Sequence, residues 1–189
     1  MRKIERRSCF GVALAAFPLA VLGQSIGKSS GAAVARVRSG EDRVGEHHSI
    51  GVSSTAYKVS GQDTGGGLFI MEHANRAKGG PPRHLHHYED EWFYAIEGEY
   101  IVEVGSERFR LKPGDSILAP REIPHAWAFA GSASGKMLIA FAPANKMEEY
   151  FRSTAKARAG AYSNWNNPRD KELMGSYGLE LLGPPLSLE

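Results

Sequence analysis

The segment Arg83-His-Leu-His-His-Tyr-Glu-Asp-Glu91, followed at once by Trp92-Phe-Tyr-Ala-Ile96, concentrates histidines and carboxylates ahead of an apolar run. Side chains on a strand alternate between faces, so His84 and His86 point one way and Leu85 the other. Two imidazoles on one face form a chelating pair. His87 falls on the opposite face, as an outward residue or a support to its neighbours. Glu91 enters the sheet on the next strand, where its carboxylate completes a two-nitrogen, one-oxygen set suited to a first-row divalent metal. Glu89 and Asp90 read as loop carboxylates. Taken alone, a histidine pair of this kind also occurs by chance in histidine-bearing loops, and a lone strand histidine is usually a hydrogen-bonded structural residue.

Around this segment the chain is a succession of short apolar runs. Thr55-Ala-Tyr-Lys-Val59 and Gly67-Leu-Phe-Ile-Met-Glu-His73 flank a Gly-rich turn. After Trp92–Ile96 come Tyr100–Val104, Phe109–Leu111, Ser116–Ala119, His125–Phe129 and Lys136–Phe141, punctuated by Gly and Pro. Many short strands with regular turn residues indicate an antiparallel sandwich or barrel rather than alternating β/α units. No internal repeat is present, so one barrel is expected. His125 opens its strand and shares a face with Trp127 and Phe129; if that face is interior, it adds a fourth ligand and aromatic walls.

Beyond Pro143 the pattern turns helical. Asn145 can cap a helix with Glu148 three residues on, and Met147, Phe151 and Thr154 recur at helical spacing, which predicts a helix packed outside the sheet. Asn167-Pro168 starts a second helix and Gly178 offers its stop. The chain therefore divides into residues 1–23 as an export signal, 24–50 as a linker or N-terminal arm, 51–143 as the β-barrel and 144–189 as a C-terminal helical extension.

The signal reading rests on a basic start, Met1 to Arg7, and an apolar stretch from Cys9 to Gly23 too short for a membrane span. Arg6-Arg7 before Ser8-Cys9-Phe10 resembles a twin-arginine signal, with Phe10 one position late for that pattern, and Sec export is the alternative. Either route places the mature protein outside the cytoplasm, expected in the periplasm. Residues 1–23 carry Arg2, Lys3, Arg6 and Arg7 against Glu5, a net of +3, while the whole chain is +2, so the remainder sits near −1. The isoelectric point of 8.7 thus belongs to the signal. It gives no support to a nucleic-acid partner or, once the signal is removed, to a membrane partner. The single cysteine, Cys9, leaves with it, which removes thiol chemistry and disulfides from the mature chain. The His47-His48 pair in the linker reads as solvated.

These features together resemble the cupin family, whose first motif runs G-x5-H-x-H-x3 or x4-E-x6-G. His84, His86, Glu91 and Gly98 match it, and Gly79 lies one residue closer to His84 than the pattern asks. Of the second motif, G-x5-P-x-G-x2-H-x3-N, Gly114, Pro120 and His125 are present. Glu122 stands where the pattern has glycine and Phe129 where it has asparagine. The resemblance, from about Ala56 to Ala142, implies an all-β double-stranded β-helix, a jelly-roll-like barrel with one or two C-terminal helices. It implies one divalent metal ion on His84, His86, Glu91 and His125, with Fe, Mn, Ni, Co, Cu and Zn all admissible. The ending Tyr177-Gly-Leu-Glu-Leu-Leu-Gly-Pro-Pro-Leu186 is similar to the tail of some quercetin-dioxygenase-like cupins.

The function expected from that resemblance is an exported metal-dependent dioxygenase acting on a flavonol-like or other enolisable phenolic small molecule together with dioxygen. Glu91 is the candidate general base. Trp127, Phe129, Tyr94 and His73 are the candidate substrate contacts, with core packing as the competing reading for Tyr94, Trp127 and His73. The alternatives are a non-catalytic metal- or small-ligand-binding cupin and an oxygen-independent metal-dependent isomerase or decarboxylase. A homodimer paired through the sheets is expected.

Overall fold

The computed structural model describes residues 36–46, 48–50, 53–157 and 166–188. The expected export signal, the first twelve linker residues and His47 lie outside them. The elements run β1 (His48–Ile50), β2 (Ser53–Val59), a 3-10 turn (Gly61–Thr64), β3 (Phe69–Asn75), β4 (Pro82–His86), β5 (Asp90–Glu97) and β6 (Tyr100–Val104). Then follow β7 (Glu107–Leu111), β8 (Ser116–Ala119), β9 (His125–Phe129), β10 (Gly135–Ala142), α1 (Met147–Ala157), α2 (Pro168–Ser176) and β11 (Leu179–Pro185).

The strands form two antiparallel sheets, ordered β1-β2-β3-β10-β5-β8 and β11-β4-β9-β6-β7. Each apolar run read from the sequence is a strand, because alternation or continuous apolarity bounded by Gly and Pro leaves no helical face to bury. The inward faces of the two sheets meet in a core that includes Phe69, Phe93, Tyr100, Phe129, Ile139 and Phe141. Strand β5 shows the period of two plainly: Glu91, Phe93 and Ala95 are buried, whereas Trp92 and Tyr94 are half-buried on the outer face, stacked on each other at 5.7 Å. The chain leaves this sheet at Gly98 and enters the other one as β6.

Two parts depart from expectation. Residues 36–46 and 48–50, expected as linker, are fastened to the barrel: Arg43 grips Asp63 with two hydrogen bonds at 2.7 and 2.8 Å, and Asp42 accepts from the Tyr57 backbone N–H at 2.6 Å. His48, expected to be solvated, stacks on Tyr57 at 4.5 Å. The second departure is α1. It closes an open end of the barrel, with Phe151 against the inward-facing Phe69 and Phe141 at 6.2 and 5.6 Å, instead of lying on the outside of a sheet. Helix α2 begins as expected, with Asn167 accepting from the Arg169 backbone N–H ahead of Pro168. The chain then returns as β11, pairing with β4 through Leu179–His86 and Leu181–His84.

Gly98 is required on two counts. Its φ is +78°, and a Cβ there would fall 2.7 Å from both the Phe129 ring and the Ser134 carbonyl oxygen. Left-handed backbone and overpacking each cost about 1–3 kcal/mol. Gly98→Ala is accordingly expected to lower the unfolding free energy by about 2–4 kcal/mol in urea titrations. A wild-type midpoint would contradict this packing.

Candidate metal centre

His84 and His86 lie on β4, His125 opens β9, and the two strands meet at the pair His84–His125. Glu91 comes from the opposite sheet, near the start of β5, so the cluster bridges the two sheets. All four side chains are buried, and each offers a ligand atom within 4.8 Å of the others. Glu91 Oε2 is the focus: the Nε2 atoms of His125, His86 and His84 stand 2.8, 3.2 and 3.9 Å from it.

The other ring nitrogens are all engaged. Nδ1 of His84 donates to the Pro82 carbonyl at 2.7 Å and Nδ1 of His125 to the Ile123 carbonyl at 2.9 Å, since a carbonyl oxygen only accepts. Nδ1 of His86 lies 3.3 Å from Glu89 Oε2. A hydrogen on each Nδ1 leaves the Nε2 lone pairs turned toward a carboxylate. That arrangement is repulsive unless extra protons or a cation stand among them.

The protonation pattern follows from this crowding. Burial, reinforced by His125 and His86, pushes His84 down to about 3. Burial also disfavours charge on His86, but Glu89 and Glu91 outweigh it and lift His86 to about 9. Glu91 is penalised by burial too, yet His125 and His86 hold it well below the usual carboxylate range. In the metal-free chain, therefore, a proton on His86 contributes to the neutralising, and His125 Nε2 makes the short contact to Glu91 at 2.8 Å. Its Nε2 is nonetheless poorly aligned on Glu91 and has no hydrogen-bond partner of good geometry among the described residues. Three Nε2 atoms and one carboxylate, with no lysine or arginine within ion-pair distance of Glu91 or Glu89 among the described residues, fit a divalent ion.

A narrow cavity reaches this cluster and is lined by His84, His86 and Glu91. Trp127 and His73 also line it. His73 is 4 % exposed, sits edge-on to Trp127 at 5.0 Å, and has an Nδ1 with no partner among the described residues. Burial pushes its pKa down to about 4, so the ring is neutral. Tyr94 and Phe129 are elsewhere. Tyr94 is three residues from Glu91 and so faces outward; Phe129 lies four residues along β9 from His125, about 13 Å at strand rise, packed on Tyr100 at 5.5 Å. His87 points outward to Glu122 and Glu180.

Several lining residues are not legible as such in the sequence, although Met147 and Phe151 read there as the apolar face of a packed helix. Met147, Tyr150 and Phe151 of α1, Met174 of α2 and Leu179 of β11 roof the cavity, because the C-terminal segment folds back over the barrel. Glu89 lies in the β4–β5 loop as expected but is wholly buried, whereas Asp90 is the first residue of β5, half-buried and paired with Arg121 at 2.8 Å. Glu122, standing where the resembled pattern has glycine, adopts φ +63°, the backbone that glycine would favour. Its N–H donates to the His86 carbonyl at 2.8 Å, which fastens this loop beside the cluster.

The architecture is that of a cupin barrel. Residues 72–141, which contain all four clustered side chains, match the Cupin domain family. An uncharacterized protein of Methanocaldococcus jannaschii is 30 % identical over 66 residues, 35 % of this chain and 53 % of that protein. Polyketide synthase CurC of Streptomyces cyaneus is 27 % identical over 77 residues, 41 % of this chain and 47 % of that one. The chain thus spans about half the length of the curated relatives it matches. Among solved structures, one described as a predicted oxalate decarboxylase from Thermotoga maritima superposes with a TM-score of 0.53 at 17 % identity. It covers 58 % of this chain and 99 % of its own, a likeness of fold. No helix among the described residues is long and apolar enough to cross a membrane.

His86→Ala is expected to leave the purified protein without its metal in elemental analysis; one retained equivalent would show that the ligand set is different. Because His86 is lifted to about 9 in the metal-free chain, it is protonated at neutral pH and must release that proton to offer Nε2. Divalent-ion affinity should therefore climb with pH, by up to about tenfold per unit through the neutral range, and fall on acidification. Glu91, already ionised there, adds no dependence of its own. Calorimetric titrations at several pH values check the slope, and a flat profile would contradict it.

Proposed function

We propose that this protein is an exported, metal-dependent dioxygenase acting on flat phenolic or other enolisable small molecules. The observation that carries the proposal is the cavity: it leads to the imidazole–carboxylate cluster and is walled by apolar and aromatic side chains. A divalent ion on His84, His86, Glu91 and His125 would supply a Lewis acid that acidifies a hydroxyl bound beside it.

The remaining chemistry falls to the chain itself. Trp127, Tyr150 and Phe151 present ring faces and edges that hold a planar substrate and exclude water. His73, neutral and with Nδ1 unpartnered among the described residues, is placed to hydrogen-bond a second polar group of the substrate. Glu91 is ionised and so in the proton-accepting form. Its depressed pKa makes it a weak base, so a proton it takes has to come from a hydroxyl already acidified by the bound ion. The export signal read in residues 1–23 would place the reaction outside the cytoplasm.

The test is an oxygen electrode with the protein loaded in turn with Fe(II), Mn(II), Ni(II), Co(II), Cu(II) and Zn(II), and with quercetin and catechol as probes. Oxygen uptake with the flavonol is expected, and Glu91→Gln, checked for retained metal, should slow it by about a hundredfold or more. Absence of both uptake and binding for every metal form would sink the proposal. Turnover without oxygen would favour an isomerase or decarboxylase on the same site.

A further inference from the structure

Glu89 has a burial that nothing in the ligand set explains. It lies in the connection between β4 and β5, yet its side chain is 0 % exposed, with no lysine or arginine within ion-pair distance among the described residues. One oxygen faces His86 Nδ1 at 3.3 Å. The other accepts a hydrogen bond from Asn145 Nδ2 at 2.7 Å. Burying an ionised carboxylate costs several kcal/mol unless charge and hydrogen bonds offset it, and two such contacts alone do so poorly.

From this geometry we infer, on the basis of the metal reading above, that Glu89 is a positioning residue of the metal centre. Its carboxylate orients His86 and supplies the second buried negative charge that matches the site to a doubly charged ion. Three neutral imidazoles with Glu91 and Glu89 sum to about −2, which a dication balances and a monocation does not. His86 is also set apart from the other two histidines. Theirs are Nδ1 contacts to backbone carbonyls, Pro82 and Ile123, whereas His86 rests on a carboxylate, which makes its Nε2 the more basic donor.

Asn145 gives this arrangement its second half. It adopts φ +41°, a left-handed backbone that asparagine tolerates better than most residues, and stands two positions before α1. Its side chain, expected to cap that helix, is spent instead on Glu89. The line Asn145–Glu89–His86 thus ties the helix that roofs the cavity to one side of the metal centre.

Co(II) titration of the full chain, followed by calorimetry and by visible d–d absorption, tests the inference. Glu89→Gln keeps the side-chain shape and removes the charge. It should bind Co(II) about 10–100-fold more weakly and shift the absorption bands of the loaded protein. Asn145→Ala leaves both carboxylates in place and should give a smaller loss and a smaller shift in the same direction, which keeps the test open if the first variant folds badly. Wild-type affinity and an unshifted spectrum in either variant overturn its assigned role, since a residue that merely braces the β4–β5 connection would move neither. A wild-type chain that takes up no Co(II) overturns the metal centre itself, and the role of Glu89 with it.

Discussion

Glu91 lies in the interior of the barrel with three imidazole nitrogens within 3.9 Å of one of its oxygens. A buried carboxylate has to be balanced, and here the balance comes from across the core: the histidines are on the five-stranded sheet and the glutamate on the six-stranded one. The cluster therefore exists only when the two sheets close on each other in a single register. A slip of one residue in β4 would turn His84 and His86 outward and bring Leu85 in. The strand pairing His84–His125 and the flanking partners of Glu91, Ala119 and Phe141, fix that register from three sides.

The same closure shapes the cavity. Its floor is polar because the histidine–carboxylate cluster is there, and its roof is mostly apolar, Asp170 apart, because α1, α2 and β11 fold over the barrel mouth with Met147, Phe151, Met174 and Leu179 turned inward. The roof and the floor are joined by Asn145 and Glu89, so the C-terminal segment belongs to the site and is not an appendage to it.

Much of this was legible in the residues. The period of two in Arg83–His86 put both histidines on one face, and each apolar run between turn residues became a strand. What escaped did so for physical reasons. Tyr94 could have been set aside by counting from Glu91, since an odd separation puts it on the other face, as the alternation along β5 shows. Phe129 has the right parity but the wrong distance along its strand, which parity cannot reveal. Strand β11 was hidden by Gly183, Pro184 and Pro185, residues that only an edge position tolerates, and β11 is an edge strand. Glu89 is the loop carboxylate it looked like, but its burial was hidden because its partner, Asn145, is 56 residues away and no local pattern joins them. Glu122 was visible as a substituted glycine, and its φ of +63° shows the loop keeping the backbone that the glycine would have given.

The central claim is that one divalent ion is held by His84, His86, Glu91 and His125 between the sheets. Anomalous scattering from crystals of the Co(II)-loaded protein, collected across the metal edge, tests it most directly. The account predicts one strong peak within coordination distance, about 2.0–2.3 Å, of the three Nε2 atoms and a Glu91 oxygen. A peak held by other side chains, or none at this cluster in protein that binds stoichiometric metal, would contradict it.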